Sequence, residues 1–480
     1  LGIDEGTTAV KAVLFDCDLH PVAAARRAVA TTHPLPDRVE QDPELILAAV
    51  IEAVGEVLAR SEGREVIAAG LDHQGESVLA WDAESGQALT PVVVWQDKRQ
   101  RTLLEGIAEN VTGRSGLPLD PYFSAGKLAW LLENDEQVGL ARERGTLRLG
   151  TVDAFLCARL GNRYATDLST ASRTQLLALG GRDWDDELLA AFGLDRGLLP
   201  ALGPSFGALG ELRAEGWPVA VPLSAQLVDQ QAALAGSGAV GEGEVKATYG
   251  TGVFVLGHTN GPLTADGLLP TVAWAAPGGG GRVGEIAYAL EGGVFTAGAL
   301  LEWLSQLGLA PDPVALASAA RSVQSSEGVM LLPALAGLGA PWWQPTARAV
   351  IAGLHSGTRP AHIARAALEA IAWRVGDIVE AIAAVSAVER VRVDGGLTRN
   401  GTLLGIQADS LGLPLAVGPP DTTALGAAML AGVGAGLFAS VAEAAQRLPA
   451  PREVEPSVSG EQRAAARARW RSFIEAAARL

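Results

Sequence analysis

Gly2-Ile3-Asp4-Glu5-Gly6-Thr7-Thr8-Ala9-Val10-Lys11-Ala12-Val13-Leu14-Phe15-Asp16 reads as an apolar strand, a tight Gly-Thr turn and a second apolar strand. The plan returns past the middle of the chain in Ala247-Thr248-Tyr249-Gly250-Thr251-Gly252-Val253-Phe254-Val255-Leu256-Gly257. Glycine lets a backbone approach an anion closely, and the N–H groups and threonine hydroxyls of such turns can converge on phosphate oxygens. A single hairpin of this kind says little, because ordinary β-hairpins also favour Gly at the turn. Two of them, one per half, predict two lobes that grip one polyphosphate, and hence a nucleotide-using enzyme.

The 480 residues suffice for two domains with separate cores. With 48% hydrophobic and 19% charged residues the chain is globular rather than disordered. A formal net charge of −17 argues against a nucleic-acid partner, which needs a basic stripe. It fits a protein whose anionic ligand is held by local dipoles and a metal. Cys17 and Cys157 have neither CxxC nor zinc-type spacing, so reduced thiols and a cytoplasmic location are expected. The histidines show no metal-ligand pattern. The chain opens on strand-like sequence, and no signal peptide is expected. Residues 422–442 lack charge but are broken by glycines, which predicts a buried helix entered from a Gly/Thr turn and no membrane partner.

In the first half, periodicity predicts a helix over 43–59, a strand over 66–71 leading into Asp72-His73-Gln74-Gly75-Glu76, and a strand over 92–95 ending in Gln96-Asp97. Helices are expected over 122–134 and around Leu156-Cys157, a Pro/Gly-rich loop over 199–210 and a strand over 218–223. Glycines clustered over 236–243 mark the boundary, giving domains 1–238 and 239–480. The second half carries a strand before Asp394-Gly395-Gly396 and alanine-rich helices over 362–384, 402–411 and 461–480. Strands alternating with helices in both halves indicate α/β lobes with mixed sheets.

Four further motifs bear on chemistry. Asp229-Gln230-Gln231 sits at a strand–helix junction before the second hairpin, where Asp229 can accept a hydroxyl proton during phosphoryl transfer or simply cap the helix. Trp95-Gln96-Asp97-Lys98-Arg99 and Gln74-Gly75-Glu76 lie at strand ends; they can hold vicinal hydroxyls or form surface salt bridges. Val393-Asp394-Gly395-Gly396-Leu397-Thr398-Arg399-Asn400 can let a flat ring and a ribose lie against the backbone, or be a structural turn. Leu335-Ala336-Gly337-Leu338-Gly339-Ala340-Pro341-Trp342-Trp343, ending in Arg348, reads as a flexible connection near a cleft or as ordinary loop packing.

Taken together, and with Tyr122-Phe123-Ser124-Ala125-Gly126-Lys127-Leu128-Ala129-Trp130, Thr151-Val152-Asp153 and Thr166-Asp167-Leu168-Ser169-Thr170-Ala171-Ser172-Arg173-Thr174, these motifs resemble the FGGY carbohydrate kinases over nearly the whole chain. The similarity is greatest to the members that phosphorylate glycerol. It implies an α/β fold of two actin-like, ribonuclease-H-like ATPase domains around a central ATP cleft. The N-terminal domain then carries the acceptor and first phosphate loop, and the C-terminal domain the nucleotide. The implied reaction is ATP-dependent phosphorylation of a terminal hydroxyl of a small polyol, with ATP and Mg²⁺ as cofactors; a homodimer is compatible with it.

By the same resemblance Asp229 is the catalytic base and Asp4 helps to organise Mg²⁺. Thr7, Thr8, Lys11, Thr251 and Gly252 fall at phosphate-loop positions, with Lys11 standing where the family usually has arginine and lacking its bidentate fork. Gly298, Glu302, Gly396 and Asn400 fall at nucleotide positions, Glu302 in place of a glutamine. Acceptor contacts map to Gln74, Glu76, Trp95, Tyr122, Asp229, Gln230 and Phe254.

One position departs. The glycerol-phosphorylating members carry Asn-Gln-Arg-Glu where this chain has His73-Gln74-Gly75-Glu76. Loss of a buried donor to a substrate hydroxyl costs about 1.5–3 kcal/mol unless something replaces it. The vacancy at Gly75 leaves room for a longer acceptor such as a tetritol or a pentitol, or His73 supplies the donor. Ketose kinases of the family carry Gln-Met-His-Gly here, against which Glu76 argues. Residues 214–223 lack both the Gly-Gly-Thr-Arg loop used for fructose-bisphosphate inhibition and the histidine phosphorylated in other members, so neither regulation is expected. An actin-like ATPase without an acceptor would keep both turns, yet has no use for Glu76, Trp95, Tyr122 and Phe254 together.

Overall fold

A computed structural model describes residues 1–61, 63–107 and 110–479. The chain divides into two compact units: residues 1–240 with 270–288 and 422–448, and residues 241–269 with 289–421 and 449–480. Two segments from beyond position 239 therefore belong with the N-terminal part.

The first unit is built on a six-stranded sheet in the order Phe206–Leu212, Val221–Val228, Ala69–His73, Gly2–Gly6, Ala9–Phe15, Pro21–Ala28. Gly2–Gly6 and Ala9–Phe15 form the antiparallel hairpin expected from sequence, and its closing pair Gly6–Ala9 leaves Thr7-Thr8 as a two-residue turn. On its other side Gly2–Gly6 runs parallel to Ala69–His73, setting Asp4 beside Asp72. Ala69–His73 in turn runs parallel to Val221–Val228, which sets Leu227 beside Asp72 and Val228 beside His73. Three strands thus end at one edge, the edge at which α/β sheets bind ligands.

Helix Pro43–Ala59 covers this sheet. Asp42 starts it by accepting N–H bonds from Glu44 at 2.9 Å and Leu45 at 3.4 Å, and Pro43 pre-sets the first turn. Ile46, Val50, Ala53, Val54 and Val57 then fall on one face and are buried.

The charge-free stretch forms the helix Thr422–Gly434, which is apolar on every side and buried against this sheet and against helix Asp229–Gly236. Backbones touch there: a Cβ on Gly426 would lie 1.8 Å from Ala232 O, and one on Gly236 1.9 Å from Thr422 O. The glycines that spoil a membrane span are the ones this packing requires. Among the described residues no helix is long and apolar enough to cross a membrane.

The second unit repeats the plan of the first. Glu244–Tyr249 and Val253–Thr259 form a hairpin closed by Tyr249–Val253 around Gly250-Thr251-Gly252. Glu244–Tyr249 also runs parallel to Arg390–Asp394, setting Thr248 beside Asp394 as Asp4 stands beside Asp72. Helices Pro360–Ala383 and Gly401–Leu411 pack on each other, and the chain closes with helix Gly460–Ala477, begun by a Ser459/Gln462 capping box.

Four expectations shift. The strand expected over 66–71 is Ala69–His73, and that expected over 218–223 is Val221–Val228. The loop expected over 199–210 contains the strands Ala201–Gly203 and Phe206–Leu212. Its glycines mark an irregularity in register between Phe206 and Gly210 rather than a break in the strand. The Trp342-Trp343 segment is pinned, not a flexible connection: Trp342 Nε1 donates to Asp377 Oδ2 at 3.0 Å, Trp343 Nε1 to Gly267 O at 2.7 Å, and Arg374 to Ala340 O at 2.6 Å.

Candidate active site

Strand register brings the acidic residues of the first unit together. Asp4 and Glu5 end one strand, Asp72 lies directly across from Asp4, and Asp229 follows the third strand. Both oxygens of Asp72 are buried without a hydrogen-bond donor. Burial, then the charges of Asp4 and Asp229, push its carboxyl well above the usual range; Asp4 and Asp72 can bond to each other only by sharing a proton. Burial likewise raises Glu5, against the pull of Gln74, whose Nε2 donates to Glu5 Oε1 at 2.8 Å. Asp229 is the first residue of helix Asp229–Gly236, Val228 holding the N-cap position, and its Oδ1 accepts the Gln230 N–H at 2.6 Å. Lys11 faces Asp4 across the hairpin and brings a cation to the same edge.

No group of three or more acidic, His or Cys side chains among the described residues forms a metal cage. Mg²⁺ does not need one: it binds through one or two carboxylates and completes its octahedron with water and substrate phosphates. The side-by-side Asp4 and Asp72, with uncompensated buried oxygens on Asp72, fit that requirement.

The aromatic residues assemble beside the first turn. Trp95 Nε1 donates to Thr7 Oγ1 at 3.0 Å, and Gln41 Nε2 donates to Thr7 O at 2.6 Å. The Trp95 ring meets Tyr122 edge-on at 5.7 Å. Lys127 holds the Tyr122 loop from beneath, its Nζ donating to the carbonyls of Pro121 at 2.9 Å, Tyr122 at 2.6 Å and Phe123 at 3.1 Å. Arg173 lies 5.7 Å over the Tyr122 ring, and its Nε donates to Glu76 Oε1 at 2.8 Å. Glu76 is therefore in a buried ion pair, not a surface salt bridge.

Other residues take different places. The Gln74 amide is used within the fold, donating to Glu5 and to Gln41 Oε1 at 2.9 Å and accepting from Ser77 Oγ at 2.9 Å. His73 is fully buried with Nε2 2.9 Å from Thr170 Oγ1 and 3.4 Å from Asp153 Oδ1. That nitrogen is committed to the Asp153 network, while the buried Nδ1 has no partner. The space at Gly75 is not open, because a Cβ there would lie 2.8 Å from Val228 Cγ1.

Thr251, Gly252, Phe254, Gly298, Glu302, Gly396 and Asn400 belong to the second unit. Gly298 begins helix Gly298–Gln306 and donates its N–H to Gly250 O at 3.1 Å; a Cβ on it would sit 2.7 Å from that oxygen, so glycine joins the helix start to the second turn. Glu302 is exposed on the same helix. Asn400 caps helix Gly401–Leu411, its Oδ1 accepting from Thr402 and Leu403 at 3.1 Å, while its buried Nδ2 has no partner. Gly396 follows Gly395, whose φ of 93° and contact with the Tyr249 backbone demand glycine.

Sequence reasoning passed over Asp72, Arg173, Lys127 and Val228. Asp72 directly follows the strand expected over 66–71 and lies inside the observed strand Ala69–His73. The others are set by contacts between distant segments.

Family models for the FGGY carbohydrate kinases match this chain twice, the N-terminal domain over residues 1–236 and the C-terminal domain over 245–435. The chain belongs to the FGGY family of carbohydrate kinases. It is 40% identical to the glycerol kinase of Citrifermentans bemidjiense, over 99% of this chain and 97% of that one. It is 44% identical to the glycerol kinase of Thermus brockianus, over 91% and 90% of the two chains. The crystal structure of Plasmodium falciparum glycerol kinase with ADP superposes with a TM-score of 0.92 at 28% identity, covering 99% of this chain and 97% of that one. Xylulose kinase from Lactobacillus acidophilus shares the fold, with a TM-score of 0.87 at 22% identity over 99% and 98% of the chains. This FGGY kinase therefore has the two-domain α/β sugar-kinase fold and is an ATP-dependent phosphotransferase.

Proposed function

We propose that the chain transfers the γ-phosphoryl group of ATP to a terminal hydroxyl of a small polyol, with glycerol as its first substrate. One observation carries the reading: Asp229 heads a helix at the strand edge that also holds Asp4 and Asp72, in the unit that gathers Glu76, Trp95, Tyr122 and Arg173. Relatives named glycerol kinase, matched along most of their length, support the choice of acceptor.

Asp229 takes the proton from the hydroxyl, whose oxygen attacks the γ-phosphorus; the β–γ bridging oxygen leaves with ADP. Phosphoryl transfer needs positioning and charge neutralisation more than covalent help, which backbone turns and one carboxylate can supply. Asp4 and Asp72 would hold Mg²⁺, which when bound neutralises phosphate charge. Thr7, Thr8 and Lys11 serve the phosphates, and Thr251 and Gly252 take the same role by the resemblance to the family. Gly298, Glu302, Gly396 and Asn400 serve the nucleotide, Asn400 through its spare Nδ2 donor. Glu76, Trp95, Tyr122, Gln230 and Phe254 bind the polyol, while Gln74 acts from behind by fixing Glu5 and the Gly75 backbone.

ADP release measured with glycerol, erythritol, ribitol, xylitol, xylulose and ribulose tests this reading. Glycerol should stimulate ADP release, and Asp229→Asn should lower turnover about 10²–10⁴-fold while ATP binding persists. Undiminished turnover in that variant removes Asp229 from its role. ATP hydrolysis indifferent to every polyol removes the kinase reading itself.

A further inference from the structure

The first unit opens a cavity of about 690 Å³ onto which four arginines converge from separate segments. Arg148 reaches it from strand Leu147–Thr151 and Arg182 from the loop before helix Asp186–Ala191. Arg196 follows that helix, and Arg282 lies in the connection between strands Leu269–Pro277 and Val283–Val294. None of the residues lining the cavity belongs to a Gly-Thr turn or to the cluster around Trp95.

Three of the four cations are held in place. The Arg148 guanidinium lies 4.9 Å over the Tyr164 ring, and Tyr164 is itself fixed by its hydroxyl, which donates to Leu149 O at 2.7 Å. Arg182 donates to Val283 O at 3.1 Å and to Gly284 O. Arg196 donates to Asp183 Oδ2 at 2.8 Å and to Asp186 Oδ1 at 2.7 Å. Asp183 is the one carboxylate among the lining residues, and Arg196 already takes it. Arg148, Arg182 and Arg282 form no ion pair with any described carboxylate. The chain has 54 acidic residues against 37 basic ones, so three such guanidinium groups around one space run against its composition. Arginine keeps its charge at any ordinary pH, so their mutual repulsion is relieved by an anion and not by loss of a proton.

We propose that this cavity binds a small phosphate-bearing molecule, at a site distinct from the two phosphate turns. A phosphate monoester carries about −1.5 to −2 charge at pH 7 and three acceptor oxygens, enough to engage several guanidinium forks at once. A single carboxylate brings one charge and two oxygens. The volume falls within the range of about 300–1,000 Å³ typical of small-molecule sites. Leu199, Pro200 and Val283 add apolar surface for the organic part of such a ligand.

The test titrates the full chain calorimetrically with inorganic pyrophosphate in metal-free buffer. Wild type should bind the probe, and Arg148→Met/Arg282→Met should bind it at least about tenfold more weakly. Arg282→Met alone, on an exposed connection, reads the same loss should the double variant not fold. Lys11→Met, at the first phosphate turn, should leave the arginine-dependent binding in place. Arg101→Met/Arg321→Met removes two exposed charges elsewhere and should bind as wild type does. Citrate, which spreads its charge over carboxylates, should bind at least about tenfold more weakly than pyrophosphate. Absence of wild-type binding, undiminished affinity in the cavity variants, or loss of all binding in Lys11→Met overturns the site. An equal loss in Arg101→Met/Arg321→Met reduces it to general charge attraction and overturns it too. Citrate binding as tight as that of pyrophosphate overturns the choice of phosphate.

Discussion

Trp95 donates its indole N–H to the side-chain oxygen of Thr7 at 3.0 Å. The bond ties the first Gly-Thr turn to the aromatic cluster, since the same indole packs edge-on against Tyr122 at 5.7 Å. The first Gly-Thr turn and the aromatic cluster are thereby joined within the first unit.

Trp95→Phe keeps the ring contact and deletes the donor. A bond of this type is worth about 0.5–1.5 kcal/mol net, so kcat/KM should fall up to about tenfold. Thr7→Val should cost a similar factor, and the double variant no more than the worse single one. Fully additive losses in such a cycle show that the bond does not couple the two sites.

Asp72→Asn removes a buried carboxyl whose ionisation is opposed by burial and then by the charges of Asp4 and Asp229. Because the folded-state pKa of Asp72 is raised, the metal-free protein should gain stability as pH falls from that raised value toward the ordinary 3.8, and the asparagine variant should lack this gain. The variant should melt higher than wild type without Mg²⁺ at neutral pH, yet need about tenfold more Mg²⁺ for half-maximal activity. Melting curves with and without Mg²⁺ check both halves.

Lys127 gives an opposite pH signature. Burial lowers its ammonium to about 7 from 10.5, although Glu76, Asp97 and Asp120 oppose the shift. Between these values the unfolded chain binds the proton and the folded one does not, so wild type should gain stability relative to Lys127→Met as pH rises from 7 to 10.5. The gain is limited to about 1.4 kcal/mol per pH unit. Lys127→Met should also raise the acceptor KM, because the Tyr122 loop loses the donor to its three carbonyls.

Gly426→Ala places a methyl group 1.8 Å from Ala232 O, where only backbone movement can make room. Overpacking of this kind costs about 1–3 kcal/mol and more where backbone must move. A lower Tm together with a lower kcat is expected, because the helix displaced is the one Asp229 begins. A variant as stable as wild type shows that the two helices can part freely.

Local signals made much of this molecule legible. The apolar period announced a helix over 43–59 that starts and stops where expected, and two Gly-Thr turns announced two hairpins. Asp229 stood at a legible strand–helix junction, but its expected role as base came from the family resemblance and not from the local sequence. Arg173 could not be found locally, because its partner Glu76 lies 97 residues away. Asp72 gains its meaning only when parallel pairing sets it beside Asp4, and nothing local specifies that register. The vacancy inferred at Gly75 was misread for the same reason: the residue that fills it, Val228, comes from a strand 153 positions downstream.

Helix Thr422–Gly434 belongs to the first unit although it is written near the end of the chain. During synthesis the first 240 residues leave the ribosome well before it does, with the back of helix Asp229–Gly236 still uncovered. Domains emerging from the ribosome fold as units, N-terminal first. Here that order is interrupted: the lobe that would carry the catalytic base must wait, one apolar face uncovered, until most of the second unit has been translated and helix Thr422–Gly434 comes back to seal it.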